Sequence, residues 1–126
     1  MERFWPGALT LTFPALASLP DAVTAGTGTV GVRIPAYTPL TALLRLAGPL
    51  TGTSANRSGA PAAETAEQLQ SSFGDRIDLI LDGGPTSATV PSTLVDTANT
   101  MQVLREGPIS REAIEAALRA GGFLRE

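Results

Sequence analysis

Thirteen glycines and ten prolines punctuate the 126 residues of this chain, and they restrict it to short elements joined by many turns. Between them the apolar pattern still resolves. Leu9–Phe13 alternates apolar and polar residues and predicts a strand. Thr29–Ile34 predicts a second, stopped by Pro35, while the Ala/Gly/Pro-rich stretch 14–28 reads as an excursion between them. Leu40, Leu43, Leu44 and Ala47 fall on one helical stripe, ended by Gly48 and Pro49. Leu50–Thr53 predicts a short strand running into a turn of small residues. Thr65 and Gln68 have the spacing of a capping box for a helix that runs to Phe73 and stops at Gly74. Ile77–Leu81, Thr93–Asp96 and Met101–Arg105 predict three more strands. Ser110 caps a final helix through Leu118, with Glu112 in its first turn and Gly121 and Gly122 beyond its end. Six short strands and three helices that do not strictly alternate predict an α/β fold with a twisted mixed sheet and flanking helices. No internal repeat or linker interrupts the chain, so a single domain over residues 1–126 is expected.

Composition removes whole classes of chemistry. There is no cysteine and no histidine, which excludes a disulfide scaffold, thiolate zinc, His-ligated metals and a Ser-His-Asp triad. Nine basic residues against twelve acidic ones leave a net charge of −3, so a broad phosphate-neutralising face for duplex nucleic acid is not expected. Every basic residue is an arginine, the side chain suited to forked, planar grip on carboxylate or phosphate. With 43% apolar residues and a mean hydropathy of +0.14, the chain should fold rather than stay disordered. No apolar run approaches the roughly 18 residues of a membrane span. The start at Met1 lacks the basic and apolar regions of a secretory leader, and a cytoplasmic location is expected.

Five segments carry residues fit for a site, each with a plainer reading beside it. Phe4-Trp5-Pro6-Gly7 reads as an aromatic anchor turning into the first strand. Arg33 ends an apolar strand and must either reach solvent or meet an anion; strand ends are where α/β sheets place ligands. Thr53-Ser54-Ala55-Asn56 offers hydroxyl, amide and backbone donors at short spacing, suited to a phosphate or an amino-acid head group, or to an ordinary Asn/Ser turn. Asp82-Gly83-Gly84 and then Ser92-Thr93 combine a sharp turn with hydroxyls at a strand start. Arg105 closes another strand ahead of Gly107. Two strand-end arginines and two hydroxyl-rich loops are together what an anion-binding crevice needs.

From Phe4 to about Leu118 these segments resemble, in order and spacing, the YrdC/Sua5 family of threonylcarbamoyl-AMP synthases. The resemblance rests on WPGALT (Trp5–Thr10), GVRIP (Gly31–Pro35), TSANRSGAP (Thr53–Pro61), DGG (Asp82–Gly84), STLVD (Ser92–Asp96) and LREGPIS (Leu104–Ser110). It implies a YrdC-like domain that forms threonylcarbamoyl-AMP and pyrophosphate from L-threonine, bicarbonate and ATP with Mg2+, for threonylcarbamoyladenosine at tRNA position 37. It implies that Arg33, Ser54 and Ser92 contact threonine, and that Thr29, Asn56 and Arg105 contact ATP. No protein-held metal site and no catalytic acid or base follow from it. A tRNA or a tRNA-modifying transferase is the implied macromolecular partner, and a carbamoyl-adenylate-forming or purely nucleotide- or RNA-binding use of the fold is the alternative. Arg33, Ser54, Asn56, Ser92 and Arg105 are expected to converge on one crevice.

Three departures from the family pattern stand out. Ala8 replaces a proline, Glu64 replaces a serine or threonine near the nucleotide, and there is no lysine anywhere. The family's Lys/Arg motif ending in Pro-Leu, which grips the ATP phosphates, has no counterpart in these residues. The expectation is therefore the C-terminal portion of the fold, with little product made by these residues alone and an uncovered sheet that favours self-association.

Overall fold

The structure, a computed structural model, describes residues 3–86, 90–99 and 101–123; Met1 and Glu2, read above for a leader, lie outside them. The chain divides into two compact units, Met1–Leu46 with Val90–Glu126, and Ala47–Thr89.

The first unit is built on a four-stranded mixed sheet. Its strands are β1 (Leu9–Pro14), β2 (Thr29–Val32), β3 (Thr93–Asp96) and β4 (Gln102–Arg105), in the spatial order β2-β1-β3-β4. β1 runs antiparallel to β2 and parallel to β3, and β3 runs antiparallel to β4. A single helical turn, α1 (Asp21–Thr24), lies in the excursion between β1 and β2, and α2 (Thr38–Ala47) follows β2. The period-2 pattern of β1 sends Leu9 and Leu11 into the core, where they meet Val95 of β3 and Ile114 of α4 (Arg111–Ala120). Trp5 and Phe4 pack against this core, as the plainer reading of the aromatic segment expected, and the Trp5 indole donates to the Leu9 carbonyl at 2.8 Å.

α4 is the most amphipathic of the helices in effect: Ile114 is buried and Leu118 packs beside it, while Arg119 and Glu115 form an exposed i,i+4 pair at 3.5 Å. Ser110 caps it by accepting from the Ala113 amide at 3.3 Å. Glu112 sits in the first turn, where its own backbone N–H and the Ser110 hydroxyl hold its carboxyl below the ordinary 4.5.

Gly107 is fixed by close approach. A Cβ there would lie 2.5 Å from the Thr93 amide nitrogen and 2.7 Å from the Ser92 carbonyl carbon, both backbone atoms that cannot rotate away. Gly107→Ala is therefore expected to destabilise the first unit by about 2–3 kcal/mol, read as a lowered urea midpoint with an unchanged m-value. Equal midpoints would show that the turn yields without cost.

The second unit holds α3 (Ala66–Phe73) and a 3-10 turn at Gly74–Arg76. The Thr65 hydroxyl accepts from the Gln68 amide at 3.2 Å, as the capping box predicts. The return contact falls one residue early: the Glu64 amide donates to Gln68 Oε1 at 2.8 Å. The two strands expected in this unit do not form. Leu50–Thr53 and Ile77–Leu81 have no ladder partner among the described residues, and Leu50, Leu79 and Leu81 are 52%, 71% and 68% exposed. An apolar run supplies strand propensity, but a strand exists only where a neighbour accepts its hydrogen bonds.

Candidate functional site

The register of the sheet sorts its residues into two faces. Leu9, Leu11, Thr93 and Val95 share the face that α4 covers. The residues between them, Thr10 and Thr12 on β1 and Leu94 and Asp96 on β3, share the other. Gly31 pairs with Thr12, so it lies on this second face, and a Cβ on it would come to 3.2 Å from the Thr10 methyl. Continuing the alternation past Val32 brings Arg33 to the same face. On β4 the register slips between Leu94 and Val95, which sets Arg105 opposite Leu94 rather than leaving it on the side of Val103. The bulge re-aims the arginine.

This second face is polar and hydrogen-bonded. Ser92, 8% exposed, shares a 2.7 Å hydrogen bond between its hydroxyl and that of Thr10. Its carbonyl accepts from Arg105 Nε at 3.2 Å and Nη2 at 3.0 Å. Further along, Asp96 is 6% exposed, and its Oδ1 accepts from the Thr12 hydroxyl at 2.7 Å and the Ala98 amide at 3.0 Å. Its Oδ2 accepts from Asn99 Nδ2 at 3.3 Å. The Thr97 hydroxyl donates to the Thr12 carbonyl, which ties the turn after β3 to β1. The carboxylate is thus satisfied by local donors, as a buried charge must be.

Of the residues expected at the site, Arg33, Ser92 and Arg105 lie at one end of this face: beyond β2, before β3 and at the end of β4. Arg33 Nε donates to the Gly7 carbonyl at 2.9 Å, and the Gly7 amide donates back to the Ile34 carbonyl at 2.8 Å. Each guanidinium group is therefore anchored to the start of the neighbouring strand, Arg33 to that of β1 and Arg105 to that of β3, while both residues remain exposed. β2 and β4 are separated by two strands, so their backbones run roughly 14 Å apart across the sheet. Thr29 opens β2, pairs with Pro14, and occupies the opposite end of the strand from Arg33; its hydroxyl meets that of Thr27 at 3.0 Å.

Ser54 and Asn56 belong to the second unit. The Asn56 amide donates to the Ser54 carbonyl at 3.0 Å, and its side-chain nitrogen donates to the Arg57 and Ala60 carbonyls at 3.0 and 2.9 Å. The Asn56 side-chain oxygen is shielded from solvent and has no hydrogen-bond partner among the described residues. An acceptor held in this state costs free energy unless a donor reaches it. The loop bearing it is closed by the Ala63 amide on the Ala55 carbonyl at 2.9 Å. Glu64 uses its backbone carbonyl to accept from the Thr86 amide at 2.8 Å.

Thr10, Asp96 and Gly107 all lie in the segments singled out above, but the sequence assigned the first two no role and the third only a turn. The signal for the first was present in LTLTF: one face of the strand is aliphatic and the other is threonine, so a hydroxyl-bearing face was written into the alternation.

The fold is of the α/β class: a mixed sheet with one face packed on a helix and the other lined by hydroxyls and flanked by anchored arginines. Comparison with known proteins gives the family. The Sua5/YciO/YrdC family model, described as telomere recombination, matches residues 1–107, and the chain belongs to this family. A threonylcarbamoyl-AMP synthase of Bacillus subtilis (strain 168) is 45% identical over 121 residues, 94% of this chain and 35% of that protein. A putative threonylcarbamoyl-AMP synthase of Mycobacterium tuberculosis (strain ATCC 25618 / H37Rv) is 43% identical over 119 residues, 94% of this chain and 55% of that one. Among solved structures, P. abyssi Sua5 complexed with L-threonine aligns with a TM-score of 0.83 at 39% identity, over 93% of this chain and 35% of that chain. E. coli YciO aligns with a TM-score of 0.60 at 27% identity, over 82% of this chain and 52% of that chain. The chain thus spans between about a third and a half of the length of these relatives.

Proposed function

We propose that this chain supplies the threonine- and nucleotide-contacting part of an L-threonylcarbamoyladenylate synthase. In that reaction a carbamate oxygen, formed from L-threonine and bicarbonate, bonds to the α-phosphorus of ATP; the bond to the β-phosphate oxygen breaks and pyrophosphate leaves. The observation that carries the reading is the hydroxyl-lined sheet face that ends at Arg33, Ser92 and Arg105 in a chain 39% identical to a Sua5 complexed with L-threonine. Arg33 takes the threonine carboxylate, with Ser54 and Ser92 as further threonine contacts. Arg105, Thr29 and Asn56 serve ATP, and the unpartnered Asn56 oxygen offers an acceptor to a nucleotide N–H or O–H. Charge builds on phosphoryl oxygens during the transfer, so oriented donors and fixed cations supply the catalysis and no histidine base is needed. Magnesium enters as part of the nucleotide substrate, held by its phosphates; among the described residues no group of three acidic or other ligating side chains is placed to hold a metal ion.

We further propose that both units belong to one YrdC-like domain, that the product serves tRNA modification through a transferase partner in the cytoplasm, and that exposed sheet edges favour self-association. No described helix is long and apolar enough to cross a membrane.

The test is a chimera in which this chain replaces the 121 matched residues of the Bacillus subtilis relative. Pyrophosphate release that requires ATP, L-threonine and bicarbonate supports the reading. A folded chimera that releases pyrophosphate equally without threonine overturns it.

A further inference from the structure

We propose that Thr10 is a positioning residue for threonine binding, acting by donating its hydroxyl proton to Ser92 and so turning the Ser92 hydroxyl outward toward the ligand. The inference rests on the reading of Ser92 as a threonine contact and adds to it a residue that acts through Ser92.

Ser92 is immobilised on three sides. Arg105 holds its carbonyl through two nitrogens, at 3.2 and 3.0 Å. Gly107 presses on its peptide so closely that no side chain fits between them. Thr93, next in sequence, is fully buried and tied to the Ala8 carbonyl by its amide at 3.0 Å. These contacts fix the backbone and leave the side chain's two rotations, about Cα–Cβ and about Cβ–Oγ. Thr10 Oγ1, 2.7 Å from Ser92 Oγ across the β1–β3 pair, restrains both.

Each hydroxyl has one proton, so the pair can align in two senses. A carboxylate accepts and cannot donate, so Ser92 serves one only if its own proton points at the ligand. Its oxygen must then accept from elsewhere, and Thr10 is the donor in place to fill that role. Donation into Ser92 Oγ also polarises the Ser92 O–H, which strengthens the bond it makes in turn. β-branching holds the Thr10 side chain in a restricted rotamer on its strand, which suits a fixed donor.

The experiment is a double-mutant cycle of Thr10→Val and Ser92→Ala in the 126-residue chain, with Thr10→Ser as the conservative variant. Two readouts are taken: urea denaturation, which reports the hydroxyl pair with no ligand present, and calorimetric titration with L-threonine. Thr10→Val keeps the shape of the side chain and is expected to weaken threonine binding about tenfold, the worth of one hydrogen bond. Thr10→Ser is expected to bind as the unmodified chain does. In the Ser92→Ala background, Thr10→Val is expected to cost no further affinity. Unchanged binding by Thr10→Val, or an equal loss with and without Ser92, overturns the proposal while leaving the functional reading intact. Coupling between the two hydroxyls in urea, with no threonine binding by the unmodified chain, overturns the functional reading and leaves Thr10 a structural residue only.

Discussion

Thr93→Val is expected to destabilise the first unit by about 3 kcal/mol, although the two side chains have nearly the same shape. Thr93 is fully buried, and its hydroxyl makes three bonds: it donates to the Ile109 carbonyl at 2.6 Å and accepts from the Gly107 amide at 2.9 Å and the Ile109 amide at 3.1 Å. Valine would leave two part-buried amides without an acceptor, at up to about 1–3 kcal/mol each. The consequence is not local. These bonds fasten the turn that leads from β4 to Ser110, the cap of α4, and α4 supplies Ile114 to the core. Thr93→Ser retains the hydroxyl and loses one methyl group, which should cost about 1 kcal/mol. Urea denaturation of the three proteins separates the contributions. If valine and serine prove equally destabilising, the buried methyl matters and the hydroxyl hub does not.

That hub marks the boundary of what the amino-acid order discloses. The strands at Leu9, Thr29, Thr93 and Gln102 were legible because each alternates or is apolar between turn residues, and each finds a partner. α3 and α4 were legible from their caps, since Thr65 and Ser110 both accept the amide three residues on, and α2 from its stripe of Leu40, Leu43, Leu44 and Ala47. Leu50–Thr53 and Ile77–Leu81 carry the same kind of pattern and form no ladder, because strand formation depends on a neighbour that the local sequence does not specify. The site divides in the same way. Arg33 and Arg105 were visible as charges at the ends of apolar runs. Their shared face was not, since it depends on a register slip at Leu94 and on the pairing of Gly31 with Thr12. Thr29 shows the limit from the other side: it opens β2 and Arg33 follows the strand's other end, so proximity in sequence does not place Thr29 beside Arg33.

Arg105→Ala is expected to weaken ATP binding by roughly tenfold to a hundredfold, the range of a charge-assisted contact worth about 1.5–3 kcal/mol. Arg33→Ala should chiefly weaken threonine binding, so the two variants divide the substrates between them. Arg105 uses Nε and one terminal nitrogen on the Ser92 carbonyl, which leaves the outer edge of an exposed guanidinium for phosphate. Arg105→Lys separates these two tasks. A lysine keeps the charge but cannot fork onto the carbonyl, so ATP affinity should fall between those of the unmodified protein and the alanine variant. Arg111→Ala is the control for net charge. Arg111 donates to the Val103 carbonyl at 3.3 Å from the first turn of α4, on the helix that covers the other sheet face. Its loss should leave ATP affinity unchanged. Calorimetric titration with ATP and with L-threonine, at two salt concentrations, reads all four variants. A phosphate contact at Arg105 should lose strength as salt rises, because the group is exposed and its charge is screened. Were Arg111→Ala to weaken ATP as much as Arg105→Ala, the arginine would be acting through the overall field of the protein. Arg105 would then have no place in the nucleotide site.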